Sequence, residues 1–133
     1  MGNPVSSQKY GGKNGLAQLQ NVQKLAGAGS SQTDAAQITT KCPVTVWATG
    51  ADGSVGIKLP AGVIGKRVTV VNDDAANAIL KVYPFEATGV INALSAGAAI
   101  SMAAKTRADF ICIEDAVRNG GTVTWATLPL LPS

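Results

Sequence analysis

Apolar and polar residues alternate in short runs over most of this chain, and the stretch Gly65 to Pro84 shows the pattern most fully. Val68 and Val70 fall on one face of a first run, and Ala78, Leu80 and Val82 share a face of a second, as the two-residue alternation of strands requires. The turn-forming cluster Asn72-Asp73-Asp74-Ala75-Ala76-Asn77 separates them, so the stretch predicts a β-hairpin. The same grammar repeats on both sides. Val44, Val46 and Ala48 oppose Thr45, Trp47 and Thr49. After the turn Gly50-Ala51-Asp52-Gly53, Val55, Ile57 and Leu59 alternate with Ser54, Gly56 and Lys58 until Pro60 ends the run.

Further strands are predicted at Ile38–Lys41, Val90–Leu94, Ala98–Met102, Arg107–Glu114 and Thr122–Thr127. Ala108, Phe110 and Cys112 share one face, and Val123 and Trp125 another. Eight or nine closely spaced strands predict an all-β fold, and the small body favours a jelly-roll-like β-sandwich over a barrel. No sequence repeat of constant period is evident, which argues against a solenoid or propeller.

The first 36 residues read differently, as an N-terminal arm and linker ahead of a body at 37–133. Residues 1–15 are rich in glycine and serine. Leu16 to Ala26 contains good helix formers and predicts a short helix. Its large apolar residues Leu16, Leu19, Val22 and Leu25 recur every third position and so spread over half the helix circumference. Such a helix either caps one end of the body or orders only against a partner. Gly27 to Thr33 has the composition of a linker.

Charge sharpens this division. The chain of 133 residues carries a formal +3, and only 14% of its residues are charged, against ~25% in ordinary soluble domains. Residues 1–33 hold Lys9, Lys13 and Lys24 and no acid, whereas eight basic and eight acidic residues balance from Asp34 onward. The arm therefore carries the whole net charge and suits an acidic surface. The charge-poor, alanine-rich body fits either a surface partly covered by a partner or a bland particle-associated β protein.

Candidate chemistry is sparse. Histidine, the commonest general base and metal ligand near neutral pH, is absent. Asp52, Asp73-Asp74 and Glu114-Asp115 sit where carboxylates serve as turn formers or solvated edge charges. No calcium loop, phosphate-cradling glycine motif or nucleophile elbow is present, so no catalytic, cofactor or metal site is expected. Cys42 and Cys112 lack metal-site spacing. Cys112 reads as a reduced core cysteine, with a Cys42–Cys112 disulfide as the alternative. Three lysines and Tyr10 make a poor nucleic-acid contact set. The N-terminus lacks a signal-peptide core and no run reaches ~18 apolar residues, so synthesis and retention in a cytoplasm, with no membrane partner, is the expectation.

Leu59-Pro60, Gly65-Lys66-Arg67-Val68, Val71-Asn72, Asn77-Ala78, Leu80-Lys81-Val82-Tyr83-Pro84 and Ile91-Asn92-Ala93-Leu94 together resemble the β-sandwich decoration, or cement, proteins of tailed-bacteriophage capsids. The resemblance covers about residues 37–127. It implies a homotrimer, assembled in the host cytoplasm, on the outer surface of the virion, bridging subunits of the major capsid protein. It further suggests an arm laid along the shell: Lys9, Lys13 and Lys24 pairing with carboxylates, Leu16, Leu19, Val22 and Leu25 filling grooves, and Tyr10 its one aromatic. The alternative is a head-fibre or tail-fibre module in which Trp47, Tyr83 and Trp125 stack on host glycans.

Overall fold

The computed structural model describes residues 22–39, 45–118 and 120–131. Ten strands occur among them: β1 (Val22–Ala26), β2 (Ala36–Gln37), β3 (Thr45–Thr49), β4 (Gly56–Lys58), β5 (Arg67–Asn72), β6 (Leu80–Tyr83), β7 (Val90–Ile91), β8 (Ile100–Met102), β9 (Thr106–Glu114) and β10 (Thr124–Leu128). They form a six-stranded sheet in the order β1-β3-β5-β9-β10-β7 and a four-stranded sheet in the order β2-β4-β6-β8. The protein is thus all-β, with both sheets mixed.

One core lies between them. Val46, Ala48, Val68, Val70, Ala108, Phe110 and Trp125 come from the larger sheet, and Ile57, Leu80, Val82, Ile100 and Met102 from the smaller. These are the alternate positions that the sequence pattern assigns to inward faces. Phe110 and Trp125 are fully buried and supply most of the aromatic volume of that core. Cys112 is buried as a free thiol whose Sγ lies 3.2 Å from the Glu114 carbonyl, and burial pushes its pKa up. Cys42 lies outside the described residues.

Three expectations are corrected. The Gly65–Pro84 stretch is not a hairpin, because β5 joins the six-stranded sheet and β6 the four-stranded one. Residues 73–79 are a crossing between sheets. Asp74 Oδ2 accepts from the Ala76 and Ala78 amides at 2.9 Å each, and Asn77 adopts φ 63°. Turn-forming residues thus direct the chain across the core instead of back beside itself.

The predicted helix over Leu16–Ala26 also fails where it can be seen. Val22–Ala26 is an edge strand, parallel to β3 with Val22 opposite Thr45 and Ala26 opposite Thr49; residues 16–21 lie outside the described residues. Tertiary pairing here overrides a weak local preference. The body accordingly begins before residue 37, since β1 and β2 are both built into its sheets.

The third correction concerns winding. The chain alternates between sheets through β1 to β6, and each strand runs parallel to the one two before it. Val22 pairs with Thr45 and Thr45 with Thr69, offsets of 23 and 24 residues, while Ala36 pairs with Ile57 and Ile57 with Val82, offsets of 21 and 25. This is a flattened coil of three turns, solenoid-like without a sequence repeat. Antiparallel pairing then closes it: β9 adds to β5, β8 to β6 and β10 to β9.

Candidate interaction surface

The outward face of the six-stranded sheet is built by the same alternation that fills the core. Along β3, Val46 and Ala48 are buried and Trp47 between them is 38% exposed. Along β9, Ala108, Phe110 and Cys112 point inward, so Arg107, Asp109, Ile111 and Ile113 belong to the outer face. In β1 the exposed positions are Val22, Lys24 and Ala26.

Strand register brings three of these residues into one row with Val71 of β5. Lys24 is opposite Trp47, Trp47 opposite Val71 and Val71 opposite Arg107. Four neighbouring strands at ~4.8 Å spacing put the two cations about 14 Å apart with the indole and a valine between them. The next row runs Val22, Thr45, Thr69, Asp109 and Leu128.

Asp109 is the only acid in these two rows, and it is already engaged. Thr69 Oγ1 donates to its Oδ1 at 2.5 Å and Arg67 Nη1 lies 3.6 Å from its Oδ2. Lys105 Nζ is likewise 2.9 Å from Asp73 Oδ1. Among the described residues, Lys24 and Arg107 have no carboxylate within ion-pair distance. The face is therefore positive although acidic and basic residues balance from Asp34 onward.

Val71 and Arg107 also line a cavity of about 220 Å³, together with Asn72, Asp73, Lys105 and Thr106. Lys105 adopts a left-handed conformation there, φ 62°, with its amide donating to the Asn72 carbonyl at 2.7 Å. Asn72 itself is fully buried. Its Nδ2 donates to the Ala78 and Met102 carbonyls at 3.0 Å each, and its Oδ1 has no partner.

Of the eight arm residues singled out from sequence, Lys9, Tyr10, Lys13, Leu16 and Leu19 lie outside the described residues. Val22 and Lys24 are exposed on the outer face, and Leu25 turns the other way and packs against the core. The three aromatics proposed for glycan stacking separate as well. Trp125 is completely buried, and Tyr83 is 9% exposed with its hydroxyl donating to the Ser30 carbonyl at 3.0 Å. Trp47 alone of the three presents a ring at the surface.

Sequence reasoning did not single out Arg107 or Asn72 as members of a site. The alternation in Arg107–Glu114 does place Arg107 outward, but its place in one row with Trp47, two strands away, depends on the order β3-β5-β9. No group of three or more acidic or cysteine side chains suited to a metal ion occurs among the described residues. No helix among them is long and apolar enough to cross a membrane. Comparison with family models, curated proteins and solved structures gives no match.

Proposed function

We propose that this protein is a structural virion component that binds the outside of an icosahedral bacteriophage capsid as a trimer and cements neighbouring subunits of the major capsid protein. The observation that carries the reading is the junction at Val22: a segment with Lys9, Lys13 and no acid precedes an exposed edge strand of a charge-poor sandwich, and that strand carries Lys24. Such a junction suits a basic arm held at one side of a rigid body, where many weak contacts add around an oligomer. The role is structural, without catalysis, cofactor, nucleic acid or membrane. Two sheets over one core fit the sandwich architecture of that reading. Its jelly-roll form is the finer part of the proposal, and the parallel windings of β1 to β6 distinguish this chain from an all-antiparallel roll.

Purified protein mixed with mature capsids lacking it tests the reading directly. Saturation at a fixed copy number on local three-fold positions, with greater resistance of the shell to heat, supports it. Absence of binding to the shell refutes it. A fibre module that binds host glycans is the second reading, favoured by the exposed Trp47 between Lys24 and Arg107. Adsorption to host cells without capsid binding would select it.

A further inference from the structure

We infer that the outer face of the six-stranded sheet, centred on the row Lys24–Trp47–Val71–Arg107 and the cavity beside it, is the surface on which the body seats against an acidic polypeptide. This rests on the decoration reading, in which the polypeptide belongs to the shell's outer surface.

Charge is the first reason. Arg67 and Asp109 neutralise one another on this face, as do Lys105 and Asp73 at its margin, so Lys24 and Arg107 remain as cations without an internal carboxylate. Asp73 shares the cavity with Arg107 but is taken by Lys105, so a carboxylate supplied by a partner meets no ion-paired rival at either end of the row. The long-range field of such a face also speeds encounter with an acidic surface.

Aromatic placement is the second. Trp47 stands on a regular strand between two well-buried neighbours, Val46 and Ala48, so its backbone is fixed while its ring is left at the surface. An aromatic ring on a rigid element, between Lys24 and Val71 and with Arg107 one strand further on, has the composition of an interface anchor with a charged rim. The adjoining cavity, with Arg107 and Val71 in its wall, has room for one side chain of the partner.

Continuity with the arm is the third. The outward side chains of β1, Val22 and Lys24, lie on the same face as Trp47 and Arg107, so residues preceding Val22 join the body at the margin of this surface. Lys9 and Lys13, earlier in the sequence, carry the same sign of charge. Arm and face thereby select the same partner chemistry.

Trp47 supplies the readout. The chain has two tryptophans, and Trp125 is completely buried, so quenching of emission by acrylamide reports Trp47. Full-length protein bound to capsid shells should lose that quenching. The double variant K24E/R107E should need at least tenfold more protein to saturate the shell, and K24Q/R107Q about threefold more. All changed side chains are exposed, so thermal midpoints near that of the parent protein confirm intact folding. If shells bind the parent and both double variants equally and Trp47 stays quenchable, the inference is overturned while the decoration reading stands.

If shells do not bind at all, the decoration reading is what has failed, and poly-L-glutamate at low salt tests the face by itself. Shielding of Trp47 that is lost in K24E/R107E and weakens steeply with salt then upholds an acidic polypeptide as occupant. Absence of shielding overturns it, and so does shielding by alginate but not by poly-L-glutamate.

Discussion

Asn72 Nδ2 donates a hydrogen bond to the Met102 carbonyl across 3.0 Å, joining the end of β5 in the six-stranded sheet to the end of β8 in the four-stranded sheet. The same nitrogen holds the Ala78 carbonyl just before β6. One buried amide therefore fastens the point at which the chain changes sheets. Replacing Asn72 with Ala leaves two carbonyls without that donor and should lower stability by about 2–4 kcal/mol. Urea unfolding followed by circular dichroism measures it, and a loss below ~1 kcal/mol would show that the amide is not a fastening.

A second close approach secures the smaller sheet. A methyl group added at Gly56 would stand 2.6 Å from Tyr83 Cε2 and 3.0 Å from the Lys81 carbonyl oxygen. Gly56→Ala should therefore cost about 1–3 kcal/mol through crowding. Tyr83→Phe, which removes only the bond to Ser30, should cost about 1 kcal/mol. Thermal denaturation of the two variants gives both values, and a Gly56→Ala loss well below ~1 kcal/mol would refute the assignment of crowding to Gly56.

The two tryptophans should behave as opposites. Trp125 is fully enclosed, so Trp125→Ala should remove about 3–5 kcal/mol or prevent folding, whereas Trp47→Ala should cost below ~1 kcal/mol. Chemical denaturation distinguishes them. Comparable losses would place Trp47 in the stabilising core and not at an interface.

Acid should loosen loops before it affects the core. The Ile64 and Arg118 amides donate to the Asp115 carboxylate, and the Ser54 and Val55 amides donate to that of Asp52. These bonds hold both pKa values below the usual 3.8. A carboxyl with a depressed folded pKa contributes stability above its unfolded value, and that contribution is lost as pH falls through the folded one. Stability should therefore decline as pH falls below about 3.8, and Asp115→Asn should flatten the decline. A pH series of thermal midpoints with the same slope in both proteins would disprove the link.

Facing was legible in the sequence and pairing was not. The alternations Val46–Trp47–Ala48, Val68–Val70 and Ala108–Phe110–Cys112 fix which side chains enter a core, and the structure agrees at each. Alternation is blind to which strand lies alongside. Asp74 and Asn77 stabilise a crossing between sheets with the same local bonds that would stabilise a hairpin turn. Val22–Ala26 escaped detection because only Leu25 among its large apolar residues faces the core. The Trp47–Arg107 relationship was illegible for the same reason as the coil: both depend on partners contributed from more than 20 residues away, at steps that vary.

Because each winding of β1 to β6 adds one strand to each sheet and leaves the others in place, the molecule can be lengthened by a unit. Duplicating residues 45–66, which span one turn from β3 to the residue before β5, would extend both sheets by about 4.8 Å without disturbing the closing strands β8 to β10. The architecture is in that sense open to growth by whole turns, with its reach set by their number.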